Sequence, residues 1–364
     1  MIYKRVTQTL IENREKRIRG DTIAIPWSLS NISKVIPGVE KGKYILISAN
    51  PKAGKTQLCD FLFMYEPFEW YLKNKDRNKK LRILYFSLEM SKESKILQAI
   101  SYKLFKDYNI IISPQNLKST FEGFILNEKI LSIILSQSFQ NWLKELEKIV
   151  TFIDDVRSTD GIYNYVTKFA SKIGKLTYKT ENDTELVDRY IQEDPDMFVI
   201  IIVDHLSLLS NNKMSLFEAI YNHSAYNCLE FRDRYGFTVV NVQQQSADSA
   251  RQQFDNRGNT IIEKIRPSPD GLADCKLTAR DCDLMLSLFN PASYHLSKYE
   301  HINLERIGRW HRELYINLNR EGLSNASVQL LFNGAVNSFK EIPRVLTEEM
   351  YVEIENKISE TFKI

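Results

Sequence analysis

The nine residues Ser48-Ala49-Asn50-Pro51-Lys52-Ala53-Gly54-Lys55-Thr56 constrain this chain more than any other stretch. They follow the apolar run Tyr44-Ile45-Leu46-Ile47 and precede a segment with helical periodicity from about Gln57. A strand, a glycine-bearing loop ending in Lys-Thr, and a helix make the context in which such a loop cradles phosphates. Loop amides and the helix N-terminus direct positive dipole ends at an anion, and Gly54 lets the backbone pass close to it. Ala49 stands where the GxxxxGK(S/T) pattern has its first glycine, a swap that an ordinary backbone conformation tolerates. The expectation is an ATP site built from Asn50, Pro51, Lys52, Ala53, Gly54, Lys55, Thr56 and Gln57. Lys55 reaches the β- and γ-phosphates in this reading, and the Thr56 hydroxyl holds Mg²⁺.

Further along, short apolar runs alternate with helical patterns. Residues 83–86, 150–153, 198–203, 237–242 and 284–289 read as strands. The run 198–203 has no polar alternation, so both its faces should be buried, as in the middle of a parallel sheet. Helices are expected at 92–105, 160–173 and from Ser215, where Glu218 three residues on makes a capping-box pattern. Pro67 is expected to weaken or kink the helix after the loop. Two late β runs, 313–318 and 327–332, flank the turn Arg320-Glu321-Gly322. A last helix follows Thr347, with Met350, Ile354, Ile358 and Phe362 as its apolar stripe. This is an α/β chain with a mostly parallel, helix-covered sheet and a C-terminal β-hairpin. Residues 1–20 read as a basic, partly amphipathic helix that docks on the domain or reaches a neighbouring subunit; 21–342 form the ATPase domain and 343–364 a C-terminal helix. Residues 174–196 carry charge but no pattern, and 73–82 read as a solvated basic loop.

Composition narrows the partners. With 49 basic against 46 acidic residues in 364, only local patches could grip a nucleic acid. No apolar run approaches the about 18 residues that span a bilayer, so no membrane partner is expected. Four cysteines without a CxxC pair indicate neither a disulfide framework nor a zinc site, and cytoplasmic residence is the expectation.

In open α/β sheets, ligands bind at the C-terminal ends of the strands. Asp204 ends the 198–203 run and fits a Mg²⁺ role beside Thr56, although such an Asp on its own is as readily a loop cap. Glu89 lies beyond the 83–86 strand, where a carboxylate can orient or deprotonate an attacking water; on position alone it would more often be a solvated acid. Gln244, between Gln243 and Gln245, is the candidate for sensing the γ-phosphate, with its two neighbours as alternatives.

As a set, these segments resemble the C-terminal ATPase domain of DnaB-family replicative DNA helicases, which has a RecA-like fold. The resemblance rests on Ala-Asn-Pro-Lys-Ala-Gly-Lys-Thr at 49–56, Phe86-Ser87-Leu88-Glu89-Met90-Ser91, Phe152-Ile153-Asp154-Asp155 and Ile202-Val203-Asp204-His205-Leu206. It continues through Arg280-Asp281-Cys282-Asp283-Leu284-Met285, Asn319-Arg320-Glu321-Gly322 and Leu331-Phe332-Asn333-Gly334, spanning roughly 20–342. It implies that Glu89 is the catalytic carboxylate, Asp204 the Walker-B acid, and Arg320 an arginine finger offered to the next subunit. It further implies a homo-oligomer of hexameric type, single-stranded DNA in a central channel, and a primase or helicase loader as possible partners. The corresponding DNA-facing stretches are 210–214 and 247–276, with Arg251 and Lys264 as contact candidates and Arg257, Arg266 and Lys276 adding charge. Three departures stand out: Leu318 where a basic residue precedes the finger, Ala247 after the sensor glutamine, and Ala273 near a family arginine. Residues 174–196 and 291–312 look like insertions, and the family's helical N-terminal domain has no counterpart, as in a trimmed phage member acting in its host's cytoplasm. The leading expectation is a ring-forming, ATP-driven helicase and single-strand translocase acting in DNA replication. Alternatives are a RecA-type recombination ATPase and a non-translocating, ATP-driven scaffold.

Overall fold

Tyr44–Ala49 (β1) alternates its side chains between two cores: Ile45, Ile47 and Ala49 pack on one face of the sheet, and Tyr44 and Leu46 on the other. The computed structural model describes residues 2–21, 23–75, 80–120, 122, 124–181, 184–210 and 214–361. In chain order the remaining strands are Leu81–Ser87 (β2), Val150–Ile153 (β3), Gly174–Glu181 (β4), Thr184–Gln192 (β5), Phe198–Asp204 (β6), Thr238–Gln244 (β7) and Leu284–Phe289 (β8). Lys298–Tyr299 (β9), Ile302–Asn303 (β10), His311–Asn319 (β11), Ala326–Asn333 (β12) and Ser338–Ile342 (β13) complete them. The main sheet runs β13-β12-β11-β8-β1-β7-β6-β2-β3. From β8 to β3 every pairing is parallel, and β11, β12 and β13 add an antiparallel extension. The expected mostly parallel, helix-covered sheet is therefore the architecture found.

β6 is buried at every position; Phe198, Ile200 and Ile202 face one core and Val199, Ile201 and Val203 the other. One core is covered by helical segments Lys55–Asp60, Glu66–Asn74 and Gln137–Ile149, the other by Thr159–Ile173 and Leu216–Tyr226. Pro67 does not break its helix. A π-helical stretch, Phe61–Tyr65, precedes it and resets the hydrogen-bond register, and Pro67 falls in the first turn of the next α segment, where no N–H is needed. The Ser215–Glu218 capping box forms in both directions.

The structure departs from, or adds to, the sequence reading in several places. Residues 174–192 are not patternless: β4 and β5 pair as an antiparallel ribbon. Because β5 is exposed along most of its length, no in–out alternation marks the ribbon in the sequence. β13 was not expected at all; it pairs with β12. The final helix, Glu348–Thr361, buries Tyr351 and Ile354 with Ile358 alongside, while Met350 stays partly exposed; Phe362 lies outside the described residues. That face packs with Tyr294, Tyr299, Ile302, Leu304 and Ile307, so the stretch 291–312 is the other half of a small third core. The N-terminal helix, Ile2–Ile18, leaves Val6, Leu10, Ile11 and Ile18 exposed and is tied to the body by Lys16 on Asp196 at 2.9 Å. Of the 73–82 loop, residues 76–79 lie outside the described residues.

Two histidines are buried neutral. His223 sits under β7 against Asn241 and His311 faces Gln329; burial pushes both to about 4. A folded pKa below the unfolded value of about 6.5 means that the unfolded chain takes up the protons, so stability falls as pH drops from about 6.5 toward 4. At pH 5 the loss is about 2 kcal/mol for each histidine. Urea unfolding at pH 7.5 and pH 5 should show it, and His223→Gln and His311→Gln should each shrink it. An unchanged loss in both variants excludes these histidines as its source.

Candidate functional site

Because β1, β7, β6 and β2 share one direction, their ends form a row. Ala49 pairs with Gln244, and Asp204 pairs with Val242 on one side and Ser87 on the other. The loop after β1 turns with Lys52 at φ 61° and Gly54 at φ 107°, and the helix begins at Lys55. Gly54 is required twice: for its left-handed backbone, and because a Cβ there would lie 2.9 Å from the Phe332 ring. Thr56, one residue into the helix, directs its hydroxyl to Asp204 Oδ1 at 3.1 Å. Among the described residues Lys55 has no ion-pair partner, and no cluster of three or more His, Cys, Asp or Glu could cage a metal. A hydroxyl and one carboxylate are hard oxygen donors of the kind that hold Mg²⁺ together with a nucleotide's phosphates.

Two groups beneath the loop escape the sequence. Arg312, buried on β11, donates from Nε to the Ala53 carbonyl at 2.8 Å and from Nη1 to Asn290 Oδ1 at 3.2 Å. Burial lowers its pKa to about 10, so it remains charged at neutral pH. Its guanidinium lies 5.0 Å over the Phe332 ring. Nothing local signals this arginine, which comes about 260 residues after the loop it supports.

The second group is a fully buried charge cluster behind Asp204. Lys95 Nζ donates to both Asp60 oxygens at 3.1 and 3.0 Å and to the Tyr85 hydroxyl at 2.7 Å, and lies 3.7 Å from Asp204 Oδ2. The Tyr85 hydroxyl is also 2.7 Å from Asp60 Oδ1 and 3.2 Å from Asp204 Oδ2. Burial works against the Lys95 charge, but Asp60 and Asp204 outweigh it and hold the ammonium above its ordinary pKa. Asp60, an acid inside the apolar run Leu58-Cys59-Asp60-Phe61-Leu62, was the one available clue.

Glu89 is half-exposed, with His205 Nε2 at 3.6 Å. Burial and the nearby Lys55 push the His205 pKa down, so its ring offers Glu89 no full charge at neutral pH. Asp154, an alternative acid, accepts from the Lys92 backbone at 3.1 Å. The three glutamines separate cleanly. Gln243 is buried on the Ala273 and Cys275 carbonyls and Thr278; Gln245 is buried on Ser48 and Ser268. Gln244 alone makes no side-chain hydrogen bond among the described residues and is part-exposed at the strand end.

Arg320 lies elsewhere. β11 runs antiparallel to β8, and Asn319 pairs with Leu284, so Arg320 sits by the N-terminal ends of the parallel strands, about 15–20 Å along the sheet from the loop. It donates to the Cys282 carbonyl at 2.8 Å and to the Arg280 carbonyl, and is half-exposed. Leu318 packs on the core, and Ala273 donates its amide to Gln244 O. Arg251, Arg257, Lys264 and Lys276 are exposed. Arg266 is not available as expected: Tyr299 and Glu300 bind it. Of the 210–214 stretch, residues 211–213 lie outside the described residues. No helix among the described residues is long and apolar enough to cross a membrane.

The sequence model of a known family matches residues 24–341, a range that contains the loop, Thr56 and Asp204. The chain belongs to the DnaB-like helicase C-terminal domain family. A probable replicative DNA helicase of Trieres chinensis is 24% identical over 295 residues, 79% of this chain and 52% of the relative. The chain thus spans about half the length of that curated relative. A solved ATPase domain superposes with a TM-score of 0.60 at 17% identity, covering 93% of this chain and 99% of that one. A DnaB-like replicative helicase, solved in a study of its interactions with primase, superposes at 0.61 and 18% identity, covering 92% and 66%. Both share the fold of this DnaB-like domain.

Arg312→Met keeps the apolar stem but removes the hydrogen bond to Ala53. The DnaB-like domain should stay folded and bind a fluorescent nucleotide about tenfold more weakly, the scale of one charge-assisted hydrogen bond. Unchanged affinity would show that the loop holds its shape without Arg312.

Proposed function

We propose that this chain is an ATP-hydrolysing motor that moves along single-stranded DNA and unwinds duplex as a replicative helicase. The observation that carries this reading is the Thr56 hydroxyl, 3.1 Å from Asp204 beneath a phosphate-type loop, with the half-exposed Glu89 just beyond the end of β2, the strand adjacent to that of Asp204. Lys55 binds the β- and γ-phosphates, and the amides of 50–56 receive the remaining phosphate oxygens. Thr56 and Asp204 hold Mg²⁺, which supplies charge neutralisation on the transferred phosphoryl group. Glu89 orients the attacking water and accepts its proton, and Gln244 hydrogen-bonds the γ-phosphate. A cavity of about 350 Å³ beside the loop, lined by Arg309, Trp310, Arg312 and Phe332, offers aromatic surface to the base.

Arg320 is too far from the loop of its own subunit to act there, which favours a shared site in which it reaches the next subunit's γ-phosphate within a hexameric ring. Arg251 and Lys264 then contact DNA phosphates in the channel without reading sequence. Primase or a loader is the protein partner that this family reading suggests. Leu318, committed to the core instead of offering a cation beside Arg320, favours a second reading: an ATP-driven scaffold that does not translocate.

Lys55→Ala should abolish tight ATP binding and turnover. Glu89→Gln should bind ATP while hydrolysis falls by about 10² or more. Survival of hydrolysis within a few-fold in Glu89→Gln excludes it as the base. A motor should show steady-state ATPase stimulated by single-stranded DNA, whereas a scaffold should be indifferent to it. Mixing inactive Arg320→Ala and Lys55→Ala subunits should restore part of the ATPase, because some interfaces regain both groups. Near-normal turnover of Arg320→Ala alone excludes the finger.

A further inference from the structure

We propose that Lys95, with Asp60 and Tyr85, positions Asp204 as a one-oxygen metal ligand and so sets the site's preference for Mg²⁺ over Ca²⁺. This rests on the Mg²⁺ role proposed above for Thr56 and Asp204. The two oxygens of Asp204 face different surroundings. Oδ1 meets the Thr56 hydroxyl at 3.1 Å, on the loop side. Oδ2 points inward, 3.2 Å from the Tyr85 hydroxyl and 3.7 Å from Lys95 Nζ. All four side chains of the inner cluster are at most 1% exposed, so water cannot substitute for any of these contacts.

Charge explains why Asp60 is part of the device. A buried lysine facing Asp204 alone would neutralise it and compete with any cation. Asp60 takes Lys95 through both carboxylate oxygens, while the ammonium also sits 4.4 Å over the Tyr85 ring. Asp60 and Lys95 cancel, and the negative charge of Asp204 remains for the metal. Placement matches this role. Asp60 follows Thr56 by one helical turn, and Lys95 lies in helix Lys92–Tyr108, directly after the Glu89 segment. The cluster therefore ties together the three elements that carry Thr56, Glu89 and Asp204.

Ca²⁺ accepts six to eight oxygens and often takes a carboxylate through both of them, whereas Mg²⁺ holds an octahedron of short bonds and keeps several waters. A carboxylate whose second oxygen faces the Tyr85 hydroxyl and the Lys95 ammonium is denied the two-oxygen bond that Ca²⁺ often makes, and so favours the second geometry. Lys95, Asp60 and Tyr85 are thus positioning residues that touch neither nucleotide nor metal.

The test uses the full chain and a fluorescent ADP analogue, titrated with Mg²⁺ and with Ca²⁺ from an EDTA baseline, alongside thermal melting in EDTA. Wild type should need less Mg²⁺ than Ca²⁺. In Tyr85→Phe, and in the double variant Asp60→Leu with Lys95→Met, the two half-saturation points should converge by about tenfold, as for other groups that orient a ligand. Replacing a buried ion pair by apolar groups of similar volume is often neutral for folding, so melting of the double variant should not fall. In Asp60→Asn, Lys95 turns to Asp204 and both cations should weaken by about tenfold. A wild-type Mg²⁺/Ca²⁺ ratio in Tyr85→Phe overturns the inference even if the double variant unfolds. Nucleotide binding by wild type that is equal in EDTA and Mg²⁺ overturns the Thr56–Asp204 metal reading itself, and this inference with it.

Discussion

Parallel strands buried on both faces leave one place for polar chemistry, the strand ends. β8, β1, β7, β6, β2 and β3 all run the same way, and the central ones are apolar on both sides. Polar side chains that cannot be solvated along such strands emerge together where the chain leaves the sheet. Register then decides neighbours: Ala49 beside Gln244, and Asp204 beside Ser87, two residues before Glu89. The phosphate-type loop, the acid under Thr56 and the candidate base are therefore products of one topological fact.

Around that edge the protein buries three charged side chains, Arg312, Lys95 and Asp60. Desolvating them costs more than most ion pairs return, so their presence is poor support for a purely stabilising role. Each is saturated instead with directed contacts beside a site element: Arg312 on the Ala53 carbonyl, and Asp60 on Lys95 and Tyr85, whose ammonium and hydroxyl lie 3.7 and 3.2 Å from Asp204. Fixed orientation of the groups proposed to bind phosphate and Mg²⁺ is the return for that cost.

β11 joins regions that are distant in the sequence. At its start Arg312 supports the phosphate loop; in its middle Glu313 and Tyr315 meet Tyr299, which also binds Arg266 of the long 247–276 loop; just beyond its end lies Arg320. The insertion-like stretch 291–312 takes part in this by supplying Tyr299 and the small core under the final helix.

Much of this was legible in the residues themselves. Periodicity marked β1, β2, β6, β7 and β8, and with them the sheet and its helix cover, because burial on both faces writes an unbroken apolar run. The loop, Thr56, Asp204 and Glu89 were legible because their chemistry is local to a strand end. The β4–β5 ribbon was not, since strands that touch the core only through Leu176 and Tyr190 carry no sustained alternation. Choosing among Gln243, Gln244 and Gln245 also required the fold: all three have the same chemistry, and only packing showed that two are consumed by hydrogen bonds in the core. Arg312 and Lys95 lay beyond any local reading for the same reason. A lysine in a helix or an arginine in a strand looks solvated in a sequence; its burial against a partner 35 or 259 positions away is decided only when the sheet closes over both.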